Sequence, residues 1–333
     1  MMLKRPYLLF VGDARDQLAA KSAVGVLQWR PELCVGQVRL DGCRAELTLP
    51  VVSVEEGAAA GARTLIIGVA NAGGFIPDHW LDTFAHALRV GLDLANGLHD
   101  RLSDRAILTT LAAEHDRRLI DVRHPVRCFG VGTGKPRPGR RLLTVGTDCS
   151  IGKMYTTLAL EREMRARGIA AEFRATGQTG IFIAGDGIAV DAVVADFISG
   201  AVEWLTPAAT DGHWDLIEGQ GSLFHPSFAG VSLGLLHGAQ PEVLVMCHEP
   251  TRRHMRGLPG RALPDLKACI AVNLSAAQLT SPHVRCIGVA VNCSGLGPAE
   301  AQAYLQRLSD ELGLPCVDPL ATGVAALVDC LSQ

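Results

Sequence analysis

No stretch of this sequence approaches the roughly 18 consecutive apolar residues of a membrane-spanning helix. A helical membrane protein is therefore not expected. Neither sign of charge is in excess: 31 Lys and Arg face 34 Asp and Glu, for a net charge of -3. That balance gives no electrostatic case for nucleic acid or an anionic membrane as a partner. Aromatic residues are scarce, at 5%. The 10 cysteines form no CxxC pair and no short framework spacing, so reduced thiols in a cytoplasmic protein are expected rather than disulfides. No HxxxH or similar grouping proposes a metal centre. The apolar run after Lys4 and Arg5 is too brief for a secretory signal, and Asp13, Arg15 and Asp16 interrupt it. Internal repeats and low-complexity segments are also missing.

What is present is a chain of 333 residues with 48% hydrophobic content, long enough that two domains are expected. Strand-like runs alternate with helix-length segments, the pattern of an α/β protein with a mostly parallel sheet. Strands are predicted at Tyr7–Val11, Val35–Leu40, Thr64–Val69 and residues 119–123, then at residues 141–145, Ala171–Ala175, Trp214–Ile217, Val243–Cys247, Cys269–Asn273 and Ile287–Asn292. Helices are predicted at His79–Leu98, where Trp80, Phe84, Leu88 and Leu92 recur at four-residue spacing, and at Lys153–Arg167, Val190–Leu205 and Pro298–Leu312. Gly168 and Gly313 are expected just past two of these helices. The stretch "GVGTGKPRPGRR" reads as a linker. Its "GTGK" resembles a fragment of a phosphate loop, but no strand precedes it and Pro136 follows at once. The expected domains are residues 1–131 and 141–333, joined by 132–140.

One stretch carries a clear chemical signal. "GTDCSIGKM", residues 146–154, follows a predicted strand and opens a predicted helix. Backbone N–H groups, the helix dipole and Lys153 together make an anion site. The usual pattern is G-x-x-x-x-G-K-[ST], whereas Gly146 and Gly152 here enclose five residues. That spacing is similar to the loop of dethiobiotin synthetase. Met154 stands where the pattern has a Ser or Thr that holds Mg²⁺, and a thioether does not bind a hard cation. The loop residues Gly146, Thr147, Asp148, Cys149, Ser150, Ile151, Gly152, Lys153 and Met154 therefore suit a cofactor whose pyrophosphate is a handle and whose chemistry lies elsewhere. Coenzyme A is such a cofactor. A metal ligand set is not expected.

"GTDCSIGKM", the block from Ala175 to Leu205 and the block from Glu218 to Arg252, with "GVANAGGFIPDHW" and "DVRHP" earlier, resemble a bacterial P-loop family long described as a domain of unknown function. Some members are described as D-glutamate N-acetyltransferases. The resemblance spans nearly the whole chain. It implies a Rossmann-like N-terminal domain, a P-loop NTPase-like C-terminal domain, and transfer of an acetyl group from acetyl-CoA to the amine of an acidic amino acid. It also implies a homodimer or larger homo-oligomer.

Such a reaction needs a base for the incoming ammonium and groups for the substrate carboxylates. Glu218 ends a predicted strand, before a Gly-rich turn with Gln220 and Ser222. It is a base or substrate ligand, a carboxylate tied to turn N–H groups, or a metal-holding acid in the place of a Walker-B carboxylate. Thr176, Gln178 and Thr179 lie between glycines after another strand, as substrate contacts or as a structural turn. His248 and Glu249 follow a third strand as base and orienter, or else His248 is a hydrogen-bonded structural histidine. Arg252 is a carboxylate clamp or an ion-paired arginine, and His225 lies on a loop as a further substrate contact. Cys149 is weighed as a nucleophile, since a helix N-terminus lowers a thiol pKa, against a packing role. Two alternatives stay open: an ATP- and Mg²⁺-dependent ligase or kinase of dethiobiotin-synthetase type, and a non-catalytic nucleotide-binding protein.

Overall fold

A strand buried on both faces reads as an unbroken apolar run, and "YLLFVG" is one. In the computed structural model, which describes residues 2–71, 73–125 and 127–332, it forms β1 (Tyr7–Gly12), buried throughout. Contacts divide the chain into two compact units: Met1–Arg127 with Gly177–Ala192, and Cys128–Thr176 with Val193–Gln333.

In the first unit β1, β2 (Cys34–Arg39), β3 (Thr64–Ile67), β4 (Asp93–Asn96) and β5 (Leu119–Asp121) form a 5-stranded sheet in the order β2-β1-β3-β4-β5. Every pairing in it is parallel. Helices α1 (Lys21–Trp29), α2 (Val54–Ala59), α3 (Leu81–Arg89) and α4 (Ala106–Glu114) alternate with the strands. Phe10 meets Trp80 and Phe84 edge-on, with ring centroids 5.2 and 4.9 Å apart, in the apolar core.

The helix predicted over His79–Leu98 is shorter than expected. A 3₁₀ turn at Asp78–Trp80 leads into α3, which ends at Arg89. Gly91 N–H donates to Leu88 O and Leu92 N–H to Ala87 O, the capping pair that terminates a helix. Residues 93–96 are then free to pair with β3 and β5. Trp80, Phe84 and Leu88 do share a buried face; Leu92 is buried from beyond the helix end.

Helix α6 (Gln178–Ala184) belongs to this unit despite its place in the chain. Leu3 N–H donates to Gly185 O at 2.9 Å and Arg5 to Ala184 O at 2.6 Å. The hydroxyls of Ser22 and Thr179 lie 3.2 Å apart.

In the second unit β6 (Arg140–Gly146), β7 (Ala171–Arg174), β8 (Trp214–Ile217), β9 (Val243–His248), β10 (Arg285–Val291) and β11 (Cys316–Val317) form a 6-stranded sheet in the order β11-β10-β9-β6-β8-β7. Its pairings are parallel too. Helices α5 (Lys153–Ala166), α7 (Ile198–Leu205), α8 (Ala229–Ala239), α9 (Leu266–Gln278), α10 (Pro298–Leu312) and α11 (Ala325–Asp329) complete it. From β6 the chain runs to β7 and β8 on one side, then returns to β9 on the other. Strand order therefore reverses between β6 and β9, and in open α/β sheets the crevice outside the carboxyl ends at such a point takes ligands.

Two predictions fail here. The segment Cys269–Asn273, four apolar residues and an asparagine, is not a strand but lies inside α9. The residues α9 buries are Leu266, Cys269, Asn273 and Ala277, a helical spacing, and Asp265 caps the helix by accepting from Ala268 N–H. Four apolar residues in a row do not distinguish strand from buried helix. The helix predicted over Val190–Leu205 is two 3₁₀ turns, Val190–Ala192 and Ala195–Phe197, before α7. The chain leaves one unit for the other between Ala192 and Val193, and one continuous helix does not serve both. Helices α5 and α10 meet expectation: Gly168 N–H donates to Arg165 O and Ile169 N–H to Met164 O, and Gly313 closes α10 in a left-handed conformation.

Candidate active site

The carboxyl end of β6 runs directly into residues 146–154, and α5 starts at Lys153. Gly152 takes φ +102°, a left-handed turn that a side chain would strain, and so aims the first turn of α5 back over the loop. The first-turn N–H groups of a helix have no intrahelical acceptor, so the loop presents donors at the positive end of the helix dipole. Lys153 is buried, its Nζ donating to Asp148 O at 2.7 Å, and burial lowers its pKa.

The hydroxyls of the two threonines that follow Met154 in α5 are already used. Thr156 donates to Gly152 O at 3.0 Å, and Thr157 donates to Lys153 O at 2.8 Å beside Thr144. Neither replaces the missing Ser or Thr at the loop's end.

Three clusters surround the loop, all within the second unit. On the β8 side, Glu218 is buried and accepts from Thr176 N–H at 2.9 Å. Thr176 donates its hydroxyl to Glu218 O and accepts from Gln220 Nε2 at 3.2 Å. A Cβ on Gly219 would lie 1.7 Å from Thr144 O and 2.9 Å from Lys153 Cδ, so only glycine lets this turn press against the loop lysine. Gly219 N–H donates to Thr144 Oγ1 at 2.9 Å, which fixes the turn. Thr144 has a role that sequence reading missed, because its partners are remote in sequence.

On the β9 side, His248 Nδ1 lies 3.1 Å from Thr147 Oγ1, across the point where strand order reverses. Its ring stacks on Tyr304 of α10, with centroids 6.4 Å apart. Burial lowers its pKa to about 4, so it is neutral near pH 7. Tyr304 also went unrecognised; a lone tyrosine on a helix gives no local signal.

Above the loop, Arg252 donates to Asp148 Oδ2 at 2.9 Å, Cys149 O at 2.6 Å, Ser150 O at 3.1 Å and Glu249 Oε2 at 2.7 Å. These bonds commit its fork to the loop itself and pair Glu249 with it. Burial works against ionising Asp148, but Arg252 and the N–H groups of Cys149 and Arg256 outweigh it and hold the carboxyl below its usual range. Both nitrogens of His225 are engaged: Nδ1 accepts from Ser227 N–H at 3.2 Å and Nε2 donates to Arg256 O at 2.9 Å. Asp148, Cys149 and His225 lie close enough to share a metal, yet the carboxylate and imidazole already serve these partners. Burial pushes the Cys149 thiol up, the reverse of what a thiolate nucleophile needs.

Gln178 and Thr179 open α6 and belong to the first unit, where Thr179 meets Ser22. The "GTGK" turn is filled from within its own unit. Glu203 accepts from Thr133 N–H at 2.9 Å, Gly134 N–H at 2.8 Å and the Thr133 hydroxyl at 3.0 Å. Among the described residues no helix is long and apolar enough to cross a membrane.

Comparison with known proteins agrees with this architecture. A family profile described as the P-loop domain of a domain of unknown function, DUF1611, matches residues 130–328. The profile for the N-terminal Rossmann-like domain of DUF1611 matches residues 38–125. A D-glutamate N-acetyltransferase of Tritonibacter scottomollicae is 53% identical over 331 residues, 99% of each chain. Another, of Pseudoalteromonas sp., is 50% identical over 328 residues, 98% of this chain and 99% of that one. A crystal structure of a DUF1611 family protein from Anabaena variabilis matches with a TM-score of 0.87 at 32% identity, covering 99% of this chain and 100% of that one.

Proposed function

The chain belongs to the DUF1611 family, and from that premise we propose that it is an N-acetyltransferase moving an acetyl group from acetyl-CoA to the amine of D-glutamate. The full-length match to two proteins of that name, at 53% and 50% identity, carries the reading. The loop supports it: Lys153 and the start of α5 suit a diphosphate, while Met154 leaves out the hydroxyl that Mg²⁺-assisted phosphoryl transfer uses. A diphosphate held only as a handle fits this donor set.

Acetyl-CoA supplies the activated acyl thioester. The chain's residues bind it, receive the amine and move a proton. Residues 146–154 hold the diphosphate, with Lys153 turning from Asp148 O towards it. Glu218 is the general base. Its carboxylate is buried just past the end of β8, where a proton transfer is shielded from water, and the next residue, Gly219, presses against the loop lysine. It takes the proton that the substrate ammonium loses before the nitrogen attacks the acyl carbon; the acyl–sulfur bond breaks as the amide forms, and the sulfur leaves as a thiol with the second proton of the nitrogen. Gln220 Oε1, without a partner among the described residues, accepts from the same ammonium, since Nε2 is held by Thr176. His248 positions Thr147 within the loop, and Arg252 with Glu249 keeps the loop in shape.

Purified protein mixed with acetyl-CoA and D-glutamate in excess EDTA should release CoA thiol and form the N-acetyl product. No thiol release with D-glutamate or any other acidic amino acid, or turnover only with ATP and Mg²⁺, would overturn the reading.

A further inference from the structure

We propose that a cavity at the carboxyl ends of β10 and β11 takes the purine base of a donor whose diphosphate lies in the 146–154 loop, so that the acyl-bearing arm runs the opposite way, towards Glu218. This rests on the acetyl-CoA reading and adds a second subsite and a direction to it.

The cavity has a volume of about 910 Å3 and lies wholly within the second unit. Leu296, Ala301, Leu305 and Leu320 give it apolar walls, with Asn292 and Gln302 as polar groups. No Lys, Arg or His is among its lining residues, so it offers a phosphate nothing. Its carboxylate, Asp318, is spent on the N–H groups of Cys293, Leu320 and Ala321 at 3.1, 2.9 and 3.0 Å. The part of a ligand it suits is therefore uncharged and flat, with a few hydrogen-bonding groups. Asn292 Oδ1 accepts from Ser294 N–H at 3.2 Å, which leaves Nδ2 as a donor. The Gln302 amide has no partner among the described residues and offers both a donor and an acceptor. A purine edge presents ring-nitrogen acceptors beside an exocyclic amine, the matching set.

His248 ties the cavity to the loop. Its ring meets Thr147 in the loop at 3.1 Å, while its carbonyl accepts from Asn292 N–H, on the cavity wall, at 2.8 Å. The ring also stacks on Tyr304, and α10, which carries Tyr304, supplies Ala301 and Leu305. With β9 between them, β10 lies two strands from β6, about 10 Å at the usual ~4.8 Å spacing. On the opposite side of β6 comes β8 with Glu218. A molecule anchored by its diphosphate at β6 has an apolar cavity on one hand and a buried carboxylate on the other. The uncharged base fits the first, and the reacting carbonyl belongs with the second.

The test fills the cavity. Ala301→Trp places an indole in it from α10, and Ala326→Phe does so from α11; thermal unfolding shows which variants are folded. Binding of acetyl-CoA and of inorganic pyrophosphate is measured by calorimetry, and turnover with acetyl-CoA and with S-acetylpantetheine, which lacks both the nucleoside and the diphosphate, by thiol release. We expect acetyl-CoA to bind about tenfold or more weakly, equivalent to ~1.4 kcal/mol, with pyrophosphate affinity and S-acetylpantetheine turnover unchanged. If folded variants bind acetyl-CoA as the wild type does, the purine subsite is overturned and the acetyltransferase reading stands. If turnover of S-acetylpantetheine falls as steeply as that of acetyl-CoA, the cavity holds the acyl arm and the assigned direction is wrong. If the wild type binds no acetyl-CoA, the reading fails and takes this inference with it.

Discussion

Two glycine–lysine turns lie close together in this sequence, "GTGK" at residues 132–135 and "GTDCSIGKM" at 146–154, and they meet opposite fates. A turn of this kind offers backbone N–H groups to an anion. In the first, the anion is the chain's own Glu203, held by Thr133 and Gly134, and the turn has become a brace. In the second, a strand in front and a helix behind add a dipole and a buried lysine, and Glu249 pairs instead with the arginine above. The same letters do not make the same turn; the elements on either side decide what surrounds its N–H groups, and in the second turn the loop's own carboxylate, Asp148, is drawn to Arg252 and Arg256.

The contrast breaks most sharply at the carboxylates. Glu218 and Glu203 each accept from backbone N–H groups, yet only Glu218 lies beside the loop. Glu218→Gln should lower kcat by roughly 10²–10⁴-fold with little change in KM for the donor, and should remove the rising limb of the pH–rate profile. The lysines come next. Lys153→Ala removes a buried charge from the diphosphate and should cost about 2–5 kcal/mol in kcat/KM, whereas Lys135→Ala should leave the kinetics as they are. If Lys135→Ala were the damaging change, the roles of the two turns would be reversed. Glu203→Ala hands two exposed N–H groups over to water and should cost about 0.5–1.5 kcal/mol in urea unfolding without altering KM for acetyl-CoA. Met154→Thr should keep EDTA-resistant acetyl transfer within a few-fold of wild type; a new Mg²⁺ requirement would show that the loop had been a nucleotide-hydrolysis site.

The smallest effect concerns acid. Burial holds His248 at about 4, under its ordinary 6.5. Below pH about 6.5 the unfolded chain therefore binds a proton that the folded one refuses, and stability drains away as pH falls towards about 4. His248→Gln should flatten that decline, so that its urea midpoint falls less than that of the wild type between pH about 7 and about 5.

Much of this was legible in the sequence because it is local. The apolar runs that became β1, β6 and β9, the glycine stops after α5 and α10, and the loop itself are all short-range signals. What the sequence hid is long-range. Arg252 reaches Asp148 across 104 positions, Glu203 reaches Thr133 across 70, and Gly219 needs Thr144, 75 residues earlier. Cys269–Asn273 misled for another reason: its apolar letters fit a strand or a buried helix alike, and only packing at every third or fourth residue decided for α9.

The placement of α6 with the first unit has a consequence for how the protein is made. While the first 127 residues leave the ribosome, their own last piece is still uncoded by some fifty residues, since Gly177–Ala192 completes that unit. Until then Ser22 and the main chain at Leu3 lack the partners that Thr179 and Gly185 provide. The N-terminal half must wait, partly assembled, while β6, the loop and α5 are translated. A gene cut at the apparent linker would yield a first half that ends before its fold is finished.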